Sequence, residues 1–162
     1  MTSTIYFNIG SNIGDRRAFI ARAVAALCVG LAGTVQVSTP VESEPWGYAS
    51  TLPYLNVGVA LTIEHGKEWL ETDLQTLLAT VKVIERSISP MPHRNADGSY
   101  ADREIDIDII AIDDVVYSSP GLTIPHPMMG RRAFVLTPMA ELAPEWTHPL
   151  TGLTAAEMLA LI

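Results

Sequence analysis

The N-terminal part of the chain switches from a strand pattern to a helix pattern and back. Apolar side chains fill every second position over residues 4–9, which predicts a strand with one buried face. From Asp15, a suitable N-cap, apolar residues recur at helical spacing, and we expect Gly33 to end this helix. The β-branched, alternating stretch over residues 34–41 then predicts a second strand.

The same two patterns return after a proline-containing loop. Residues 54–63 predict a strand, residues 68–86 carry apolar side chains at helical spacing, and residues 103–110 alternate again. Residues 87–102 lack periodicity, and a loop of that length inside a compact domain is usually functional or mobile. Shorter elements are predicted at three further places: a strand at 115–117, an extended segment at 122–127 and a helix that starts with a capping box at 154–157.

The resulting order, β-α-β-β-α-β with a C-terminal extension, predicts an α+β fold. It matches the ferredoxin-like pattern, in which two helices cover one face of an antiparallel sheet. A length of 162 residues with 48% apolar content suits one core, so we expect residues 1–162 to form a single domain. The fold alone sets no function, because it hosts many.

The strand predicted over residues 103–110 has one apolar face and one acidic face. Side chains of a strand alternate sides, so Asp106 and Asp108 point the same way, with Cβ atoms roughly 6.6 Å apart. Asp102 and Glu104 share their parity, which would place four acids on one side. Carboxylates this close destabilise each other in a partly buried site unless a hard cation lies between them. The pattern favours a Mg²⁺ site, and a solvent-exposed acidic face is the alternative.

The overall charge argues against a nucleic-acid or membrane partner. Ten basic and 18 acidic residues give a net charge of −8, and the only lysines are Lys67 and Lys82. Five of the eight arginines nevertheless lie between positions 86 and 132, around the acidic strand. That grouping suits a metal-complexed anion such as a nucleotide polyphosphate, although structural networks also group charges. With no leader and no membrane-length apolar run, we expect a cytoplasmic protein that binds small molecules rather than nucleic acid or membrane. The sequence leaves the oligomeric state open, and a monomer is the first expectation.

Several residues outside the acidic strand could contact a ligand, and each also has a structural explanation. His126 lies between two prolines, which restrict its backbone and favour a fixed imidazole. Tyr54 and Asn56 share one face of a strand and offer a flat ring beside an amide that both donates and accepts, although aromatic strand residues usually serve the core. Arg131 and Arg132 precede an apolar stretch, where such a pair is often surface charge.

Six short segments are spread over most of the chain: NIGSNIGD at 8–15, ESEPWG at 42–47, PYLNVGV at 53–59, DREIDIDII at 102–110, LTIPHPMMGRRAFVL at 122–136 and PMAELAP at 138–144. In this order and at this spacing they resemble the 6-hydroxymethyl-7,8-dihydropterin pyrophosphokinase family. The resemblance implies an enzyme of folate biosynthesis that transfers pyrophosphate from ATP, its co-substrate, to the hydroxymethyl group of a pterin and releases AMP.

The resemblance also implies a role for each matching residue. Asp106 and Asp108 look like the pair that binds two Mg²⁺ ions bridging the ATP phosphates, and Arg103 looks like a guanidinium that steadies the transferring group. The residues that look like pterin contacts are Ser43, Glu44, Trp46, Tyr54, Asn56 and Phe134, with Tyr54 and Phe134 as aromatic walls. The residues that look like nucleotide or phosphate contacts are Glu85, Ile109, Thr123, His126 and Arg132.

The loop at 87–102 departs from the family pattern. Many members have Gly-Arg-x-Arg after the second helix and Arg-Trp-Gly-Pro-Arg before the acidic strand, and neither motif occurs here. Tyr100 can replace the tryptophan beside the nucleotide, and Arg103 is retained. Arg94 is the candidate for a second catalytic arginine.

Two other functions remain open from the sequence. Sugar-nucleotide glycosyltransferases also hold a metal with an acid-x-acid pair, but they are usually larger and have an α/β fold. A pterin- or nucleotide-binding protein with impaired catalysis would keep this fold and explain the altered loop. Release of AMP from ATP plus pterin distinguishes the pyrophosphokinase from both.

Overall fold

The computed structural model describes residues 1–46, 48–66, 68–90, 96–97 and 101–162. The strands are β1 (Thr2–Ser11), β2 (Thr34–Val37), β3 (Val41–Ser43), β4 (Tyr54–Glu64), β5 (Asp106–Ile112), β6 (Tyr117–Ser119) and β7 (Leu122–Ile124). The helices are α1 (Arg16–Leu31), α2 (Glu71–Ile88), α3 (Ala133–Leu142) and α4 (Ala155–Leu159), and a short 3₁₀ turn covers Met129–Arg131.

The main sheet is antiparallel, with the strand order β2-β4-β1-β5, and β3 pairs with the other end of β4. The two long helices α1 and α2 pack on one face, and their buried side chains join those of the sheet in one cluster. This order and this layering confirm the predicted ferredoxin-like α+β fold. Strands β6 and β7 form a separate hairpin.

The alternation seen in the sequence places the main core. Ile5, Phe7 and Ile9 of β1 are at most 2% exposed and face α1 and α2. A second buried cluster covers the opposite face of the sheet, where α3 and α4 pack. Its members include Ile110, Leu136 and Trp146. The C-terminal extension therefore covers part of the sheet face that the two long helices leave open.

Several predicted boundaries were wrong, among them the strand predicted at 115–117, which is β6 (Tyr117–Ser119), and the helix start predicted at residue 68, which is Glu71. Helix α1 begins after its N-cap Asp15 as predicted, but it ends at Leu31, two residues before the predicted stop at Gly33, and its C-cap Ala32 adopts the left-handed conformation (φ 50°). A Cβ on Gly33 would lie 2.9 Å from the carbonyl oxygen of Thr62, so this glycine serves close packing. The strand predicted over 34–41 divides into β2 and β3, because Pro40 between them has no amide proton for a ladder.

The acidic strand also begins later than predicted, at Asp106. The two preceding acids have local partners: Asp102 accepts from Asn12 Nδ2 at 2.8 Å, and Glu104 accepts from Ser89 Oγ at 2.8 Å. Of the four acids expected on one strand face, only Asp106 and Asp108 therefore lie on the strand. Helix α3 was not predicted, because its sequence is apolar on nearly every side and contains Pro138.

None of the described helices combines the length and the apolar character that a membrane crossing requires.

Candidate active site

Three neighbouring strands bring the predicted ligand-binding residues to one face of the sheet. Gly10 of β1 pairs with Asn56 of β4 on one side and with Asp106 of β5 on the other. A Cβ on Gly10 would lie 3.0 Å from Asn56 Oδ1 and 3.2 Å from Tyr54 Cδ1. Glycine at this position therefore keeps the space between the amide and the acidic strand open.

Above this face lies a cavity of about 200 Å³. All six residues predicted to contact pterin line it: Ser43, Glu44, Trp46, Tyr54, Asn56 and Phe134. Five residues predicted for catalysis, metal or phosphate line it as well: Arg103, Asp106, Asp108, His126 and Arg132. The fold thus gathers side chains that are up to 91 positions apart in the sequence, from Ser43 to Phe134.

The two acids of β5 each face an arginine. Arg103 Nη1 lies 2.7 Å from Asp106 Oδ1, and Arg132 Nη1 lies 3.8 Å from Asp108 Oδ2. Burial, together with the charge of Asp106, raises the pKa of Asp108 well above its ordinary range, and the two arginines only partly offset this. A further positive charge at the pair would stabilise both carboxylates in their ionised forms.

Arg132 connects the acids to the aromatic part of the cavity. Its guanidinium carbon lies 4.3 Å from the centre of the Trp46 ring and 5.7 Å from that of Phe134, within the range of cation–π contact. Its Nε atom is buried and has no hydrogen-bond partner among the described residues. A buried, unsatisfied donor beside a partly paired guanidinium is suited to an anionic ligand.

Hydrogen bonds fix the amide of Asn56. Its Nδ2 donates to the carbonyl oxygen of Val41 at 3.1 Å and to Ser43 Oγ at 2.8 Å, both in the neighbouring strand β3. Because these acceptors take the amino group, Oδ1 is the end that lies toward Gly10. The Tyr54 hydroxyl lies 3.1 Å from that of Tyr48, which holds the Tyr54 ring at the cavity wall.

Asn12 is a buried residue near the site to which sequence analysis gave no role. Its Nδ2 donates to Asp102 Oδ1 at 2.8 Å, to the Tyr48 hydroxyl at 3.1 Å and to the Leu52 carbonyl oxygen at 3.2 Å. Its Oδ1 accepts from the Arg103 amide at 2.7 Å. Asn12 thus joins three loops around the cavity, and its place in the segment NIGSNIGD was the available signal.

A second cavity, of about 280 Å³, adjoins the first and shares Asp108 and His126 with it. Ile109 and Thr123, both predicted as nucleoside neighbours, line it together with Lys82 of α2. The two cavities therefore meet at the acidic strand.

Glu85 lies behind the acidic strand and lines neither cavity. It is 3% exposed, and its Oε2 accepts the amide of Ile107 at 2.8 Å. Burial raises its pKa to about 7, although the hydrogen bond from Ile107 opposes that shift. Glu85 therefore acts on the site only indirectly, through its hydrogen bond to the backbone of β5.

His126 is held in its neutral form. Its Nδ1 accepts the amide of Met128 at 3.1 Å, and its own amide donates to the Ile110 carbonyl oxygen at 2.8 Å. Burial, and then the charge of Arg132, lower the imidazole pKa to about 4. Two other predicted site residues, Arg94 and Tyr100, lie outside the described residues.

A sequence profile described as 7,8-dihydro-6-hydroxymethylpterin-pyrophosphokinase (HPPK) matches residues 6–144. The chain is 38% identical over 148 residues to the 2-amino-4-hydroxy-6-hydroxymethyldihydropteridine pyrophosphokinase of Porphyromonas gingivalis, which covers 90% of this chain and 93% of that protein. The protein of the same description from Aquifex aeolicus is 32% identical over 91% of this chain and 85% of its own length.

Solved structures show the same fold. A Plasmodium falciparum HPPK-DHPS crystal structure aligns with 99% of this chain at a TM-score of 0.70 and 14% identity. A second HPPK-DHPS structure, in complex with substrates, aligns with a TM-score of 0.69 and 13% identity. This chain spans 45% and 43% of those two chains, so the likeness concerns one part of each.

Proposed function

This chain belongs to the 7,8-dihydro-6-hydroxymethylpterin pyrophosphokinase family and is a pyrophosphokinase of folate biosynthesis that uses ATP, and on this premise we propose how its residues perform the transfer. One observation supports the proposal most: a single cavity is lined by the acid pair, two arginines and aromatic walls. The comparisons favour neither a glycosyltransferase nor a catalytically impaired binding protein.

We propose that Asp106 and Asp108 bind Mg²⁺, with two ions expected. The fit rests on the donor set, two carboxylates on one strand face, and on the raised pKa of Asp108, which a divalent cation would reverse. No group of three or more histidine, cysteine or acidic side chains among the described residues could complete a metal site. The substrate's phosphates and water would therefore supply the other ligands. Bound Mg²⁺ would neutralise charge on the triphosphate.

The aromatic end of the cavity is proposed to bind the pterin. Tyr54 and Phe134 stack on the flat ring, which favours a planar heterocycle, and Asn56 reads its edge through the amide that β3 orients. Ser43, Glu44 and Trp46 line the remaining edge.

The second cavity is proposed to bind the nucleoside, next to Ile109 and Thr123. Arg103, Arg132 and neutral His126 then face the phosphates at the junction of the two cavities. Arg132, with its unsatisfied Nε, exchanges its contact with Asp108 for a phosphate oxygen. The pterin hydroxymethyl oxygen attacks the β-phosphorus in line, AMP leaves, and no covalent enzyme intermediate forms.

A test of the acid pair measures AMP release from ATP and 6-hydroxymethyl-7,8-dihydropterin with Mg²⁺ present. Asp106→Ala and Asp108→Ala should each lower kcat by at least about 100-fold, because electrostatic stabilisation supplies much of the rate in phosphoryl transfer. The exposed turn residue Asp114 offers a matched control, and Asp114→Ala should keep full activity. Full activity of Asp106→Ala at ordinary Mg²⁺ concentrations would refute the metal assignment.

We extend the proposal to five further predictions from the sequence. They concern the catalytic role of Arg94, the aromatic contact by Tyr100, a monomeric state with a cytoplasmic location, and a single domain over residues 1–162. The phosphate-binding role proposed for this part of the chain is supported by Arg103, which follows the loop at 87–102 directly and lies close to the acid pair.

A further inference from the structure

The carbonyl oxygen of Phe134 lacks its usual helical donor. In an α-helix, the carbonyl of residue i accepts the amide of residue i+4. For Phe134 in α3 that residue is Pro138, which has no amide proton. Pro138 is buried against the sheet, where a Cβ added to Gly58 would lie 2.5 Å from its Cβ. The proline therefore fits the packing of α3 and leaves one carbonyl of its first turn unsatisfied.

Asn8 of β1 supplies the missing donor. Its Nδ2 donates to the Phe134 carbonyl oxygen at 3.0 Å, and the side chain is 4% exposed. A carbonyl oxygen can only accept, so the amide nitrogen must be the end that faces α3. An apolar residue here would leave a partly buried carbonyl without a partner, which is energetically unfavourable.

The position of Asn8 connects two parts of the site. In the sheet register it lies opposite Asp108, and across the other edge of β1 it lies opposite Gly58, on which Pro138 packs. Asn8 and Phe134 both line the first cavity. One short side chain thus ties the aromatic wall to the strand beside the acid pair.

We propose that Asn8 is a positioning residue for pterin recognition: by replacing the hydrogen bond that Pro138 removes from α3, it holds the Phe134 ring at the cavity. This inference rests on the proposed pterin-binding role of Phe134. The resemblance to the family assigned no role to Asn8 or to this pairing.

The first experiment compares Asn8→Leu with Ser3→Ala. Leucine keeps the approximate volume and removes the donor. Ser3, 4% exposed at the other end of β1, accepts from Trp69 Nε1 at 2.9 Å, so its loss tests a buried hydrogen bond away from the cavity. Calorimetric titration with 6-hydroxymethylpterin should show a Kd about tenfold higher for Asn8→Leu, or ~1.4 kcal/mol. The Kd for a non-hydrolysable ATP analogue, measured with Mg²⁺ present, should change less than about twofold, and Ser3→Ala should change neither Kd.

The second experiment restores the donor from within the helix. In the double variant Asn8→Leu with Pro138→Ala, the amide of residue 138 can donate to the Phe134 carbonyl, so most of the lost pterin affinity should return. An unchanged pterin Kd in Asn8→Leu would overturn the proposal. So would equal losses for both ligands, which indicate general disorder, or a pterin-specific loss without rescue, which indicates direct contact by Asn8.

A folding failure of Asn8→Leu and a failure of the proposed function can each be told apart from a failure of this inference. If Asn8→Leu does not fold, Asn8→Ser replaces it, because the shorter hydroxyl cannot span the distance to α3, and the same pterin-specific loss and rescue are required. If the wild-type protein binds the ATP analogue but no pterin, the proposed function itself fails. Normal binding by the wild type with no effect of either Asn8 variant refutes this inference alone.

Discussion

Gly10 shows how a missing side chain can define a binding site. It lies between the strand that carries Asn56 and the strand that carries Asp106, and glycine leaves the floor of the cavity free. Its conformation does not require glycine, since no positive φ is found there. Glycine is therefore required because there is no room for a Cβ beside the residues that line the cavity above the sheet.

We expect Gly10→Ala to weaken pterin binding. The added methyl group would lie 3.0 Å from Asn56 Oδ1 and 3.2 Å from the Tyr54 ring, so one of these must shift. The Kd for 6-hydroxymethylpterin should rise about tenfold, or ~1.4 kcal/mol, with a smaller effect on an ATP analogue. Gly130→Ala is the control, because a Cβ there meets nothing within 4 Å. Unchanged pterin affinity in Gly10→Ala would show that the ring binds elsewhere.

The buried imidazole of His126 predicts a loss of stability in acid. Its pKa is about 4 in the folded protein and 6.5 as the ordinary value, so the unfolded state takes up the proton first. The contribution is complete above pH ~6.5 and is lost as the pH falls toward 4, by roughly 2–3 kcal/mol in all.

The replacement His126→Asn isolates this effect from other titrating groups. Asparagine can keep an acceptor for the Met128 amide but does not titrate in this range. Urea unfolding at pH 7.5 and pH 5 should therefore show a larger loss for the wild type than for the variant. Parallel losses in the two proteins would show that the imidazole does not determine the acid sensitivity.

At the scale of elements, the sequence predicted those parts whose own residues carry a period. The strands β1 and β5 and the helix α2 show a clear period, α1 is marked by its N-cap Asp15 and by apolar residues three or four positions apart, and the order of the elements was enough to identify the ferredoxin-like arrangement. Helix α3 was missed because it is short, largely apolar and contains Pro138, and a proline in the interior argues against a helix. Its position depends on the sheet beneath it.

The residues of the candidate site likewise fall into those that the sequence could predict and those that it could not. The acid pair could be predicted because strand parity places both carboxylates on one face, and the resemblance supplied the residues proposed to bind pterin, which the cavity brings together. Asn8 and Asn12 could not be found by such reasoning, because their partners are 126 and up to 91 positions away and one is a backbone carbonyl. Their roles depend on tertiary contacts.

Asn12 should couple the stability of the loops to catalysis. In Asn12→Ala, Asp102, Tyr48 and the Leu52 carbonyl lose a shared donor, and the Arg103 amide loses its acceptor. We expect the free energy of unfolding to fall by about 1–3 kcal/mol and kcat to fall as Arg103 loses its position.

The control for Asn12 is the preceding residue. Ser11 is fully buried, yet its hydroxyl donates only over 3.4 Å to the nearby Ile13 carbonyl, so Ser11→Ala should affect kcat little. Urea unfolding and AMP release measured on both variants separate the two effects. Equal kcat values for Asn12→Ala and the wild type would show that the three loops position Arg103 without this residue.

At the scale of the whole molecule, stability and chemistry are placed on different parts of one sheet. Two buried clusters lie on opposite faces, and the cavities open where neither α1 and α2 nor α3 and α4 cover the strands completely. Strand β5 contributes apolar side chains to the main core on one face and the acid pair to the site on the other. The two apolar clusters pack without any metal, so we expect the fold to be stable without one.

This separation predicts how Mg²⁺ and nucleotide should act on thermal stability. Two carboxylates leave most positions of an octahedral ion to water and phosphate, so Mg²⁺ alone should bind weakly and barely change Tm. A non-hydrolysable ATP analogue alone would meet the acid pair without a neutralising cation, and should also have little effect. Together, at about 100 times their joint Kd, they should stabilise the protein by ~2.7 kcal/mol, which raises Tm by roughly 5–10 °C. Chelation with EDTA should remove this increase and abolish AMP release, and Asp108→Asn should show no joint effect. A full shift with the analogue in EDTA would mean that the arginines bind the triphosphate without the acids.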